Sequence, residues 1–177
     1  MQRHAWDHDG LVGDKPLWGE FWKLEALTDD QRRKLLEIKS AVSEALNAYG
    51  CDKDNFGLIH ADLVPENVMI RDGAIQLIDF DDAGFGWHMF EIATALHWLK
   101  DEPQYELIES SVLAGYQQVR NLSARDLDAL PLFFIARSLT YLGWVHTRSH
   151  TQTAVEMTPM IIDIALTLGD AWLRDKS

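Results

Sequence analysis

The 177-residue chain reads as mainly α with one small β-hairpin (α+β), and three observations carry that reading. Asp72-Gly73 separates two β-branched and apolar segments, Val68 to Arg71 and Ala74 to Phe80. Asp-Gly at that spacing is the strongest short-range signal for a two-residue hairpin turn. Elsewhere apolar residues recur at helical spacing, in stretches opened by capping residues. At 47% hydrophobic the chain can bury one good core, as one domain or one large lobe.

Residues 1–27 are expected to be an irregular, aromatic-rich lead-in. Asp7, Gly10, Gly13, Asp14, Pro16 and Gly19 punctuate it, while Trp6, Trp18, Phe21 and Trp22 give it apolar anchors that dock on the chain's own core or, as the alternative, form a partner-binding surface. Thr28-Asp29-Asp30-Gln31 is a capping box. It opens a helix whose apolar residues, Leu35 to Leu46, keep helical spacing up to Gly50. A short strand at Leu58 then enters a polar loop and the hairpin. With Asp72-Gly73 as the turn, Arg71 faces Ala74, Ile70 faces Ile75, Val68 faces Leu77 and Asn67 faces Ile78. Asn67 and Asp79 therefore lie diagonally at the open end of the hairpin.

The rest of the chain reads as helical. His88 to Lys100 is one helix, in which Glu91 either suits the helix dipole or holds a neighbouring loop by hydrogen bonds. A second opens at Pro103 and runs to about Val119. Ser123-Ala-Arg-Asp126 caps a third, Leu127 to about Ser149, with Pro131 in its first turns. Thr158-Pro159 is expected to start the last, Met160 to Leu173. There is no repeat, linker or low-complexity stretch.

Two hard oxygen ligands, Asn67 and Asp79, suit Mg²⁺, which takes few protein ligands and fills its octahedron with water and phosphate oxygens. Asp81 and Asp82 either add a further metal contact or solvate the loop. His146 and His150 stand four apart without a third ligand at a matching spacing, and a catalytic zinc site needs three. No Gly-x-Ser-x-Gly supports hydrolase chemistry. A net charge of −12 and a pI near 4.8 argue against nucleic acid or an anionic membrane surface as partner. An acidic cleft would favour a cationic substrate, although a solvated surface accounts for most of this charge. Cys51 is the one cysteine, which excludes an intrachain disulfide and fits a reducing compartment. No apolar run has the length of a signal peptide core or a membrane span, so the expected location is cytoplasmic.

His60-x-Asp62-x-x-x-x-Asn67, followed by a hairpin ending in Ile78-Asp79-Phe80, resembles the catalytic and metal-binding loops of the protein-kinase-like superfamily. Within it the chain is most similar to small-molecule kinases of the aminoglycoside phosphotransferase and choline kinase type. Two positions depart from that pattern: Ala61 replaces the usual Gly, and Glu91 the usual Asp. The resemblance implies that Asp62 accepts or orients the proton of the attacking hydroxyl, that His60 braces the catalytic loop, and that Asn67 and Asp79 hold Mg²⁺ on the phosphates of ATP or GTP. It further implies that residues 28–177 are a kinase-like C-terminal catalytic lobe, with the catalytic loop at 60–67, the metal loop at 79–86 and a helical acceptor region at 88–174.

No Gly-rich covering loop or strand lysine precedes Trp18, so the N-terminal nucleotide lobe is expected to be absent. On that reading the chain is a truncated or cleaved fragment, or a shortened gene product, and is weakly active or inactive alone. The function this implies is transfer of a γ-phosphate to a hydroxyl of a small molecule such as an aminoglycoside, amino alcohol or amino acid. The alternative is a non-catalytic binding or regulatory remnant that forms a homodimer through the surface left by the missing lobe. A protein Ser/Thr kinase ranks below both, because His60-Ala61-Asp62 lacks the Arg of that loop and Asp81 stands where a Gly would follow Phe80.

Overall fold

A computed structural model describes residues 4–176. The first three residues of the lead-in and Ser177 lie outside the described residues. In chain order the elements are β1 (His4–Trp6), α1 (His8–Val12), α2 (Asp29–Tyr49), β2 (Phe56–Ile59), β3 (Val68–Arg71), β4 (Ala74–Leu77), β5 (Gly84–Trp87), α3 (His88–Leu96), α4 (Tyr105–Gln117), α5 (Ala124–Asp128), α6 (Leu130–Thr147) and α7 (Gln152–Asp175). Single 3₁₀ turns occur at Phe21–Lys23, Pro65–Asn67 and His97–Leu99. The fold class is the one the sequence predicts, mainly helical with a small hairpin. The chain divides into two compact units, residues 1–5 with 51–130 and residues 6–50 with 131–177.

In the first unit β3 and β4 pair antiparallel in the register expected from Asp72-Gly73, from Arg71 opposite Ala74 to Val68 opposite Leu77. Asp72 and Gly73 have φ of 52° and 77°, the left-handed values such a turn requires. A second sheet, in the order β1-β5-β2, was not legible as such. Its strand β5 is Gly84-Phe-Gly-Trp, in a segment that reads as loop because glycine disfavours strands. Glycine is needed there: a Cβ on Gly84 would lie 2.3 Å from the His4 carbonyl oxygen. β5 runs directly into α3, whose Met89, Phe90, Ile92, Ala93 and Leu96 are buried. Trp87 is buried with its ring edge-to-face on Phe56, a packing role.

In the second unit α2 begins at its capping box, with Gln31 N–H on Thr28 Oγ1 at 3.2 Å and Thr28 N–H on Gln31 Oε1 at 3.0 Å. It ends at Gly50, φ 68°. Leu35, Ile38, Val42 and Leu46 form its buried stripe, against which α7 packs. Arg137 of α6 is fully buried, its guanidinium 4.3 Å from the Trp18 ring and 4.2 Å from that of Tyr141. Aromatic faces thus take up a cation that would otherwise be costly to bury.

The lead-in, expected to be irregular, holds the short β1 and α1 and a 3₁₀ turn, because Asp7 caps a first turn there with its side chain on Gly10 N–H. Several helix boundaries also differ from expectation. The Ser123 box, closed by Asp126, opens only α5, and α6 begins afresh at Leu130 with Pro131 in its first turn. The last helix starts at Gln152, capped by Thr151, and carries Pro159 in its interior. Proline there removes a donor and costs about 3 kcal/mol. Burial of Ala154, Thr158, Ile161, Ile162 and Ala165 on the same helix outweighs that cost.

α6 also packs against the lead-in by direct backbone approach. A Cβ on Gly143 would meet the Gly19 carbonyl oxygen at 2.6 Å and the Trp18 backbone at 3.1 Å. Gly143→Ala should therefore lose about 1–3 kcal/mol of stability by overpacking. Gly115→Ala, in α4 and facing open space, should instead gain up to about 1 kcal/mol through helix propensity. Urea midpoints of the two variants check the opposite signs.

Candidate functional site

Every sequence-predicted site residue falls in the first unit. β2 ends at Ile59 and delivers the chain to His60, Ala61 and Asp62. Two consecutive backbone amides of this loop converge on one carboxylate: His60 N–H donates to Glu91 Oε1 at 2.7 Å, and Ala61 N–H to Oε2 at 2.8 Å. Of the two roles open to Glu91 from sequence, the structure shows the loop-holding one. Ala61 is fully buried with φ 66°, left-handed backbone that accounts for a preference for Gly at this place.

His60 is buried and joins the two functional loops. Its Nε2 lies 2.8 Å from the Ile78 carbonyl oxygen. A carbonyl only accepts, so Nε2 carries the hydrogen, while Nδ1 is buried without a hydrogen-bond partner. Phe80 covers the ring at 4.6 Å between centroids. The imidazole thus ties the loop bearing Asp62 to the residue before Asp79. Nothing in the side-chain pattern signals the Ile78 carbonyl, because a main-chain acceptor leaves no residue-type trace.

The loop closes on itself from Asp62 to Asn67. Val64 N–H donates to the Asp62 carbonyl and Asn67 N–H to that of Val64, both at 2.9 Å, while Pro65–Asn67 makes one 3₁₀ turn. Asn67 Nδ2 donates to the Asp62 carbonyl at 2.8 Å and to Asp62 Oδ2 at 3.2 Å. These bonds use the amide nitrogen of Asn67 and not its Oδ1. Ile78 N–H then donates to the Asn67 carbonyl at 3.1 Å, extending the hairpin ladder by one pair. Asp79 is therefore diagonal to Asn67, as the register requires. It is exposed and has φ 61°, a conformation Asp tolerates better than most residues.

The donor set fits Mg²⁺: one neutral amide oxygen and one carboxylate, both hard, on a rigid hairpin end, with the remaining positions open to water and phosphate. Asp81 is exposed, and Asp82 is half-buried in the turn that closes with Ala83 N–H on the Phe80 carbonyl at 3.1 Å. Among the described residues no three His, Cys, Asp or Glu side chains converge as a metal cluster, the His146 and His150 neighbourhood included. Nor is any described helix long and apolar enough to cross a membrane.

Residues 2–130 match the phosphotransferase enzyme family. The chain is 34% identical over 120 residues to a homoserine kinase of Acidiphilium cryptum (strain JF-5), a match covering 63% of this chain and 37% of that one. Among solved structures, a microcompartment-associated aminopropanol kinase superposes with a TM-score of 0.86 at 30% identity, covering 98% of this chain and 55% of that chain. An amicoumacin kinase solved in complex with AMP-PNP, Ca²⁺ and Ami superposes with a TM-score of 0.69 at 26% identity, covering 96% and 51%. The chain thus spans about two fifths to one half of the length of these relatives.

Removing the Glu91 acceptor leaves two buried N–H groups unmatched. Glu91→Ala should cost about 2–4 kcal/mol, measured by denaturant unfolding. His88, at the start of α3, gives a separate prediction. Burial, and secondarily the charge of Arg120, hold its pKa below the ordinary value. The unfolded state therefore binds a proton that the folded state resists. Stability should be complete above the unfolded pKa of about 6.5 and fall as pH drops from there toward the depressed folded value. Unfolding midpoints at pH 5 and pH 7.5 should converge in His88→Gln relative to the unmodified chain.

Proposed function

The chain belongs to the phosphotransferase enzyme family, and from that premise we propose that it carries the catalytic and metal-binding half of an ATP- or GTP-dependent kinase acting on a hydroxyl of a small molecule. The observation that carries the reading is the closed loop from Asp62 to Asn67, with Asp79 set diagonally to Asn67 by the hairpin register. Asp62 receives the acceptor hydroxyl, orients its oxygen in line with the γ-phosphorus and takes its proton as the new P–O ester bond forms and the bond from the γ-phosphorus to the bridging oxygen breaks, the nucleoside diphosphate leaving. Asn67 Nδ2 fixes the rotamer of Asp62, and His60 acts as a positioning residue that keeps both loops in register. Asn67 Oδ1 and the Asp79 carboxylate would hold Mg²⁺, which when bound neutralises charge on the nucleotide phosphates.

The catalytic loop is residues 60–67 and the metal loop 79–86, with the acceptor's contacts assigned to the helical segment 88–174. The names of the relatives point to an amino acid (homoserine), an amino alcohol (aminopropanol) and amicoumacin as acceptors, and the chain's net charge of −12 agrees with a cationic acceptor. That charge also disfavours nucleic acid and anionic membranes as partners. A nucleotide-containing, reducing cytoplasm is the setting this chemistry needs.

Calorimetric titration of the purified chain with ATP, with and without Mg²⁺, tests the reading. Binding is expected only with Mg²⁺ and should disappear in Asp79→Ala, whereas Asp62→Asn keeps binding and lowers any phosphoryl transfer by at least about 100-fold. A folded chain that binds no nucleotide, or binds it equally well in Asp79→Ala, would contradict it.

A further inference from the structure

The second unit holds a cavity of about 370 Å³, walled by residues 23–26 after the first 3₁₀ turn, the end of α6 and the first turns of α7. That volume suits a small organic molecule. Leu24, Ala26, Val155 and Pro159 give it an apolar lining, of which Leu24 is buried and the rest are open to the cavity mouth. The wall at 23–26 is fixed from behind, because the Arg32 guanidinium donates to the main-chain carbonyls of Trp22, Leu24 and Leu27. The site is therefore preformed.

Its polar atoms are mostly acceptors. Glu25 is the one carboxylate lining it among the described residues, where it has no ion-pair or hydrogen-bond partner. The Lys23 ammonium is already closed by Glu20 at 2.6 Å, and the Thr158 hydroxyl donates to the Ala154 carbonyl at 2.6 Å. The Ser149 hydroxyl has no partner among the described residues. Pro159 supplies a third acceptor indirectly. It has no N–H to give the Val155 carbonyl, four residues back on the same face of α7 and in the same cavity wall.

We propose that this cavity binds a primary ammonium group carried on a short apolar or aromatic body. The three N–H donors of the ammonium go to the Glu25 carboxylate, the Val155 carbonyl and the Ser149 hydroxyl oxygen, and the body lies on Leu24, Ala26 and Pro159. An organic anion meets the Glu25 charge and an unmatched carbonyl, while the lysine that would receive it is neutralised. The inference rests on the second unit alone and does not depend on the phosphotransferase reading, so amine binding and nucleotide binding succeed or fail separately.

Amide nuclear resonances of the purified chain, titrated with 2-phenylethylammonium chloride at pH 7.5 and with uncharged 2-phenylethanol as its match, test the proposal. Shifts are expected at residues 23–26 and 146–159, saturating with a Kd of roughly 0.1–1 mM for the amine, and at least about tenfold weaker for the alcohol. Glu25→Gln, at an exposed position, should weaken amine binding by about tenfold or more and leave the alcohol unchanged. Pro159→Ala returns a donor to the Val155 carbonyl. It should raise the urea midpoint and yet weaken amine binding about fivefold, a combination that a purely structural proline would not give. No saturable shift in these residues, equal affinity for amine and alcohol, or amine binding unchanged in either variant would overturn the proposal.

Discussion

The carboxylate of Glu91 is the contact on which the candidate site depends. Two adjacent amides, of His60 and Ala61, are turned inward at the end of β2, where water cannot serve them. The acceptor that reaches them comes from α3, a helix fixed by its own buried face. The chain then passes through a left-handed residue at Ala61, a conformation that costs a non-glycine residue about 1–2 kcal/mol. The presentation of Asp62 and the folding of Asn67 back onto it are geometry downstream of that anchor. His60 carries the constraint across to the hairpin through the Ile78 carbonyl. Helix, loop and hairpin end are thereby held in one frame by three short polar contacts.

Much of this was legible in the sequence because the signals were local. Asp72-Gly73 determines the turn, the turn determines the register, and the register puts Asp79 diagonal to Asn67. Thr28 and Ser123 announced their capping boxes in the same way. What was not legible depends on tertiary partners. The strand at Gly84–Trp87 exists because neighbouring backbone lies too close for any side chain at Gly84, a condition no residue pattern expresses. Pro159 reads as a helix start, yet it sits inside a helix whose apolar face outweighs the missing hydrogen bond. Glu91 offered two roles, and only the fold decides between a dipole and a clamp.

The hairpin serves two purposes that pull against each other. Its ladder must be regular to aim Asn67 and Asp79, and β-branched apolar residues are the ones that make a short ladder regular. The same residues leave an uncovered apolar surface next to an acidic site.

The most direct test of the metal–phosphate site requires no turnover and no acceptor. Mn²⁺ titrated into isotopically labelled protein broadens the nuclear resonances of nearby amides through its unpaired electrons. Broadening that begins at Asp62, Asn67 and Ile78 to Asp81 and is absent in Asp79→Ala is the result the account predicts. Broadening spread over the acidic surface at large, or unchanged in that variant, would contradict it.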